Sequence, residues 1–210
     1  MARECFLDPE QTFSDYPIDK CIPASISTGA ILWGDSHAAH LYFGLRAEMQ
    51  KSAIPFGMLA SSGCPPIADL DIEQRPNCRD VNREILPFLL RLKPRLVILS
   101  AAWHMNSEIA VWLKTTVDQL EQAGIKVAIV SESPAFNTRA PNIAAAHLEA
   151  GRPPIAPVTD TNIETMKTTD SILSAAFGAA PGVLPVISAQ DVLLGEGLPS
   201  ANGRWRPSLF

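Results

Sequence analysis

The chain has 210 residues and a formal net charge of −5, and only 19% of its residues are charged. A chain of this length can bury a substantial core as a single domain. The acidic balance and the absence of any basic run argue against a protein that binds nucleic acid.

Apolar strands and amphipathic helices alternate along most of the sequence. A lead-in with little periodicity, residues 1–28, precedes a domain predicted over residues 29–210. In chain order, the predicted elements are strand 29–33, helix 38–51, strand 54–59, helix 80–92, strand 96–101, helix 107–123, strand 126–131, helix 161–177 and strand 183–188. Residues 134–157 are rich in Pro and Ala and are predicted to form a loop across one face of the sheet.

This alternation predicts the fold class. Strands that alternate with helices form βαβ units, which place parallel strands in one sheet between two layers of helices. We therefore expect an α/β fold, a flavodoxin-like three-layer α/β/α domain with a parallel sheet of about five strands. Another doubly wound fold, which differs mainly in strand order, is the alternative.

A serine directly follows the first predicted strand, in the turn Gly34-Asp35-Ser36. At such a turn the Ser36 hydroxyl lies at the carboxyl end of a strand, and the Ser36 N–H lies near a helix N-terminus. This position suits a nucleophile and the oxyanion that it creates. The structural alternative is that Asp35 and Ser36 only cap the helix, since both residue types are common caps.

Further residues follow predicted strands on the same side of the sheet. They are Gly63, Trp103 and residues 131–134, together with Ser36. Ligands of parallel α/β sheets bind beyond the carboxyl ends of the strands. Gly63 lies in a turn, where glycine permits close approach of the backbone to a ligand. The sequence therefore predicts a functional site at this edge.

Two sequence blocks carry a resemblance to a known family. Gly34-Asp35-Ser36-His37-Ala38 resembles the first motif block of the SGNH hydrolases, and Ser62-Gly63-Cys64-Pro65-Pro66 follows it. The two blocks at this separation are more specific together than either is alone. With Cys5 to Pro9, Cys21 and residues 96–103, they resemble the SGNH domain of bacterial integral-membrane O-acyltransferases that modify cell-surface polysaccharides.

The resemblance implies roles for individual residues. Ser36 would be the nucleophile, and the N–H groups of Ser36 and Gly63 would stabilise the oxyanion. The implied pocket residues are Asp35, His37 and Trp103. The family's Gly-x-Asn-Asp block is replaced here by residues 100–104, so Asn106 is the candidate to complete the oxyanion hole. The resemblance implies no metal and no cofactor.

The general base is the departure from the family pattern. The family's base is the histidine of an Asp-x-x-His motif beyond the last strand, but no histidine follows His147 in this sequence. His104 is the substitute candidate because it follows a strand on the ligand side. His40 lies one helical turn after Ser36, His37 should project elsewhere, and His147 falls in the predicted loop. A serine without a base loses most of its catalytic power.

Four cysteines lie in the first 78 residues: Cys5, Cys21, Cys64 and Cys78. Four cysteines allow three pairings. The resemblance favours Cys5–Cys21 and Cys64–Cys78, and each bridge would contribute about 2–4 kcal/mol. One alternative is a zinc site, although no two of these cysteines have the close spacing of a zinc knuckle. The other is that the cysteines are reduced thiols in a cytosolic protein.

The function implied by the resemblance is an extracytoplasmic O-acyltransferase or esterase domain that moves an acetyl-type group onto glycan hydroxyls through an acyl-serine. Its partners would be a glycan acceptor, an acyl donor and an upstream membrane acyltransferase domain. Residues 1–10 contain no apolar signal segment, and the uncharged residues 171–190 are interrupted by prolines. We therefore expect the periplasmic or cell-surface part of an inner-membrane protein. A catalytically silent glycan-binding or accessory module is the alternative, because the Asp-x-x-His motif is missing.

Overall fold

The computed structural model describes residues 4–104, 106–133, 140–151, 163–178 and 182–189. Its sheet has five strands, namely β1 (Phe6–Leu7), β2 (Ala30–Gly34), β3 (Phe56–Ser61), β4 (Leu96–Ser100) and β5 (Lys126–Val130). The order is β1-β3-β2-β4-β5, and every neighbouring pair is parallel. The predicted parallel α/β sheet of about five strands is confirmed.

In the described ranges, six α-helices connect and flank the strands. They are α1 (Ile18–Cys21), α2 (Ser36–Lys51), α3 (Cys78–Leu92), α4 (Ser107–Gln122), α5 (Ala140–Glu149) and α6 (Ile163–Phe177). The β2-to-β3 step runs across the sheet in the opposite direction from the β3-to-β4 and β4-to-β5 steps. Because such crossovers are right-handed, α2 lies on one face of the sheet, while α3 and α4 lie on the other. Contacts of α4 with α3 and α6 agree with this arrangement.

β2 lies at the centre of the sheet, between β3 and β4, and all five of its residues are buried. Its last residue, Gly34, passes very close to the backbone of β4. A Cβ atom at Gly34 would lie 1.8 Å from the carbonyl oxygen of Ser100, so only glycine fits there. The strand that leads into Ser36 is therefore buried in the core and packed closely between β3 and β4.

The predicted last strand is wrong. Residues 183–188 form only isolated bridges, Val127 with Val183 and Val130 with Ile187, rather than a strand. The Leu184 N–H donates to the Val127 carbonyl and the Ile187 N–H donates to the Ile129 carbonyl, so three residues of this segment span two residues of β5 and the ladder loses its register. The fifth strand of the sheet is instead β1, from the lead-in, which is two residues long and too short to show periodicity.

The predicted loop 134–157 contains α5, so the loop prediction is wrong for that stretch. The run of alanines in this helix has high helix propensity, and Pro141 falls in the first turn, where proline is tolerated. Residues 134–139 and 152–157 of the predicted loop, and residues 161–162 of the predicted last helix, lie outside the described residues.

Two disulfides are present, Cys5–Cys21 and Cys64–Cys78, with Cα–Cα distances of 5.5 and 5.4 Å. This is the pairing that the resemblance favours, and it leaves no free cysteine. Among the described residues no group of three or more His, Cys, Asp or Glu side chains could hold a metal ion. None of the helices in the described ranges is long and apolar enough to cross a membrane.

Candidate active site

Ser36 is the first residue of α2, directly beyond the end of β2. Asp35 is the N-cap, with extended backbone and its Oδ1 accepting a hydrogen bond from the His37 N–H at 2.8 Å. Asp35 therefore does the capping, and Ser36 does not. Within the described part of the chain, the half-buried Ser36 hydroxyl has no hydrogen-bond partner. It is available for chemistry at a helix N-terminus.

The second carboxylate oxygen of Asp35 connects Ser36 to the loop after β4. Asp35 Oδ2 accepts a hydrogen bond from the Ala102 N–H at 3.0 Å, and the side chain is only 2% exposed. The next residue, Trp103, is also buried, and its indole N–H donates to the Val130 carbonyl at 2.8 Å. The loop after β4 is thus held to both β2 and β5, and both carboxylate oxygens of Asp35 are already engaged.

Gly63 lies in a tight turn after β3, with a φ of +57° that favours glycine. The turn is closed by the Cys64 N–H, which donates to the Ser61 carbonyl at 3.2 Å. It is also joined to β1, because the Ser62 N–H donates to the Leu7 carbonyl at 2.9 Å. No acceptor among the described residues engages the N–H of Gly63. The same holds for the N–H of Ser36, so both predicted oxyanion donors are available.

The side chain of Arg75 lies beside Gly63, and a Cβ atom at Gly63 would be 3.7 Å from Arg75 Cγ. Burial lowers the pKa of Arg75, an effect that the carboxylates of Glu10 and Asp8 oppose. The buried Nε of Arg75 has no partner within the described residues. A guanidinium therefore lies next to the turn that carries the candidate oxyanion donor.

A cleft of about 380 Å³ opens at this edge of the sheet. Its walls include Asp35, Gly63, Trp103, His104 and residues 70–74. His104 is exposed and has a left-handed φ of +41°, which is uncommon for a residue other than glycine. His104 also borders a second cleft of about 430 Å³, lined by Glu164, Thr165 and Thr168 of α6. The pocket positions predicted for Asp35 and Trp103 lie at the first cleft.

The side chains of the other predicted residues make no hydrogen bond with the Ser36 side chain among the described residues. Asn106 is exposed and caps α4, with its Oδ1 accepting from the Ile109 N–H at 2.8 Å, so its carbonyl oxygen is engaged. His37 is half-buried, and its Nδ1 has no hydrogen-bond partner among the residues that the structure describes. The centre of its ring lies 6.0 Å from that of the exposed His40. His147 lies in α5 and is half-buried. In the described ranges, no imidazole hydrogen-bonds to the Ser36 hydroxyl.

One residue at this edge was missed from the sequence. Asn82 of α3 is 1% exposed, and its amide hydrogen-bonds to Trp33 of β2 and to the carbonyls of Pro65 and Ile67, which follow Gly63. The available signal is a polar residue on the apolar face of an amphipathic helix, four residues after Cys78. Such a residue needs hydrogen-bond partners in the core.

Comparisons with known proteins agree with this fold. Among solved structures, the periplasmic domain of the lipopolysaccharide acetyltransferase of Salmonella ser. Paratyphi A is similar, with a TM-score of 0.71 and 19% identity over 89% of this chain and 75% of that chain. At this identity the likeness shows the fold. TesA has a TM-score of 0.47 with 13% identity over 86% of each chain. A GDSL-like lipase from Bacteroides thetaiotaomicron has a TM-score of 0.40 with 12% identity over 78% of this chain and 98% of that chain.

A comparison with curated protein sequences gives no match. The sequence profile of the SGNH domain that is fused to AT3 domains matches residues 4–206. This match spans both motif blocks, both disulfides and all five strands of the sheet. The chain therefore belongs to the family of SGNH domains that are fused to AT3 domains.

Proposed function

We propose that this chain is the extracytoplasmic SGNH domain of an O-acyltransferase, and that it moves an acetyl-type group onto glycan hydroxyls through an acyl-Ser36 intermediate. Transfer of the same group to water would make it an esterase. The observation that carries the proposal is the position of Ser36 at the start of α2. Its hydroxyl is unengaged there, and the N–H groups of Ser36 and Gly63 have no acceptor in the described part of the chain.

The reaction has two balanced halves. First, Ser36 Oγ attacks the carbonyl carbon of the acyl donor, and the hydroxyl proton goes to a base. The tetrahedral oxyanion collapses, and the leaving group departs with that proton. Second, a glycan hydroxyl attacks the acyl-Ser36 ester, its proton passes through the base to Ser36 Oγ, and the glycan ester is released. The N–H groups of Ser36 and Gly63 stabilise the oxyanion in both halves.

His104 is our candidate for the base. It borders the same cleft as Asp35 and Gly63, and imidazole is the commonest general base in proteins. In the described part of the chain, Asp35 accepts from the N–H groups of His37 and Ala102 and makes no hydrogen bond to His104, so Asp35 does not orient this imidazole in the structure. If His104 is the base, His104→Gln should lower the acylation rate roughly 10²- to 10⁴-fold. A rate within twofold of the parent would exclude His104 from that role.

The test of the nucleophile uses p-nitrophenyl acetate hydrolysis and labelling by a fluorophosphonate, a probe that reacts with activated serines. We expect Ser36→Ala to abolish both signals. Ser62→Ala is the matched control, because Ser62 is a second serine at the same edge, beside Gly63. It should retain both signals. Equal rates in the parent and Ser36→Ala would remove Ser36 from the mechanism.

A second candidate is a catalytically silent module that binds glycans. The observation that favours it is that no described histidine or carboxylate hydrogen-bonds to the Ser36 hydroxyl. A silent module should bind O-polysaccharide fragments in calorimetry but fail to react with the fluorophosphonate. Robust labelling of Ser36 in the parent would exclude this candidate.

An extracytoplasmic location is supported by the two disulfides, because such bridges form and persist in oxidising compartments. The similar Salmonella structure is itself a periplasmic domain. An AT3 membrane domain in the same protein is the corresponding partner, given the family to which the chain belongs. Peptide mapping without reductant, on protein recovered from the periplasm, should find both bridges intact. Four free thiols in that sample would contradict both bridges and remove this support for the proposed location.

A further inference from the structure

The amide of Asn82 lies in the core between the end of β2 and the segment that follows Gly63. Its side chain is 1% exposed, so it exchanges hydrogen bonds with protein rather than with solvent. Asn82 Nδ2 donates to the Pro65 carbonyl at 2.8 Å and to the Ile67 carbonyl at 3.1 Å. Asn82 Oδ1 accepts from the Trp33 indole N–H at 3.2 Å. Both amide protons and the amide oxygen are therefore satisfied.

These three hydrogen bonds connect the two parts of the candidate active site. Trp33 precedes Ser36 by three residues on the central strand, and Pro65 follows Gly63 by two. The Ser62 N–H holds the start of this segment to β1, whereas the residues that follow Gly63 belong to no strand and are held by local turns and side-chain contacts. The buried amide of Asn82 links these residues to the strand that carries Ser36.

The disulfide next to Gly63 packs on the same amide. Asn82 Nδ2 lies 3.4 Å from the sulfur of Cys64 and 3.6 Å from that of Cys78. The bridge ties Cys64 to the start of α3, and Asn82 lies one helical turn further along that helix. The turn is therefore held to α3 covalently and to β2 through Asn82. A leucine of similar volume at this position would keep the packing but lose the connection to β2.

We propose that Asn82 is a positioning residue for acyl transfer: it holds the Gly63 N–H at the distance from Ser36 at which both N–H groups reach the same oxyanion. This inference rests on the proposed function of Ser36 and Gly63. Asn82 does not touch the substrate, and it acts through the turn. Misplacement of a catalytic group by about 1 Å can cost roughly a hundredfold in rate, so a tether of this kind has kinetic consequences.

The first test variant is Asn82→Asp. The carboxylate keeps an acceptor for Trp33 but loses both donors to the Gly63 segment. We expect the single-turnover acylation rate with p-nitrophenyl acetate to fall roughly ten- to a hundredfold. The KM for substrate should stay within twofold, because the ground state does not use the oxyanion donors. Affinity for an alkylboronic acid, which forms a tetrahedral adduct on the serine, should fall in parallel with the acylation rate.

Two further variants separate positioning from simple destabilisation. Trp33→Phe removes the indole donor and breaks the link to β2, and it also leaves a cavity in the core, so its melting temperature is measured beside its rate. At a temperature at which the variant is folded, it should lower the acylation rate in the same direction even if Asn82→Asp folds poorly. Thr116→Val is the matched control. Thr116 is buried and accepts from the Ala68 N–H at 3.1 Å, so this variant frees the same segment from α4 rather than from β2. It should lower the melting temperature but keep the acylation rate within twofold.

The outcomes distinguish the two proposals. If Asn82→Asp and Trp33→Phe acylate at the parent rate while Ser36→Ala is inactive, the positioning role is wrong and the proposed function stands. If KM in Asn82→Asp rises by the same factor as the acylation rate falls, or if boronate affinity stays at the parent value while the rate falls, the residue has a general structural role and the inference is also wrong. If the parent and Ser36→Ala hydrolyse the ester equally, the proposed function fails, and the role of Asn82 fails with it.

Discussion

Removal of the Cys64–Cys78 disulfide should impair acyl transfer far more than removal of Cys5–Cys21, although the two bridges stabilise the fold by similar amounts. Their sequence separations are 14 and 16 residues. The chain-entropy relation then predicts about 3 kcal/mol for each bridge, with a difference of about 0.1 kcal/mol between them. At 2–4 °C per kcal/mol, each loss corresponds to a decrease of roughly 6–12 °C in Tm.

The two bridges differ in what they hold. Cys64 follows Gly63 directly, so the loss of its bridge loosens a candidate oxyanion donor. Cys21 instead lies against Gly57, early in β3, where a Cβ atom on Gly57 would be 2.7 Å from the Cys21 carbonyl oxygen. Complete loss of one oxyanion donor costs about 10²- to 10³-fold in kcat. A loosened donor should cost less, and we expect a decrease of roughly ten- to a hundredfold for the Cys64 bridge only.

The assay compares two double variants, Cys64→Ser with Cys78→Ser, and Cys5→Ser with Cys21→Ser, so that neither leaves a free thiol. Thermal unfolding by circular dichroism measures the stability of each. Single-turnover acylation is then measured at a temperature at which both variants are folded. Similar values of Tm with a tenfold or larger difference in acylation rate are the expected result. Equal acylation rates, or a larger loss without Cys5–Cys21, would refute the link between the Cys64 bridge and the oxyanion donor.

Three further substitutions test the packing and electrostatics of the fold. Gly34→Ala should abolish soluble expression, because the added Cβ atom would lie 1.8 Å from the Ser100 carbonyl oxygen. Gly44 is an exposed helical position at which an added Cβ atom would have no neighbour within 4 Å. Gly44→Ala should therefore raise the free energy of unfolding, measured by chemical denaturation, by about 0.5–1 kcal/mol. Burial raises the pKa of Glu121, an effect to which Asp118 adds, so its favourable contribution is present at low pH and is lost as pH rises through the raised pKa. The Tm of Glu121→Gln should therefore exceed that of the parent near pH 7, and the difference should shrink towards pH 4; a constant difference would contradict the shift.

The strand–turn–helix around Ser36 could be predicted closely from the sequence. The predicted strand 29–33 is observed as Ala30–Gly34, and the predicted helix 38–51 begins two residues earlier, at Ser36. The reason is that every determinant is local: an apolar run, a Gly-Asp-Ser turn and apolar residues at helical spacing. Which residue caps the helix could not be predicted, because Asp35 and Ser36 have equal chemical ability to do so.

The elements that were predicted wrongly depend on distant contacts. β1 has only two residues, and its hydrogen bonds go to β3, where the Ala60 N–H donates to the Cys5 carbonyl at 3.1 Å. A strand of two residues is too short to be predicted from a local sequence pattern. Conversely, residues 183–188 have the local pattern of a strand but form only isolated bridges beside β5. Strand formation at the edge of a sheet depends on the partner as much as on the segment.

The residue types at the functional edge can be recognised from local sequence: the Gly-Asp-Ser turn, the glycine of the second turn and the four cysteines. The contacts that hold these residues in place depend on long-range packing. Asp35 hydrogen-bonds to Ala102, 67 residues along the chain, and Asn82 hydrogen-bonds to Trp33, 49 residues before it. Such bonds form because the sheet order places β2 between β3 and β4, and that order is a property of the whole packed core rather than of any local pattern.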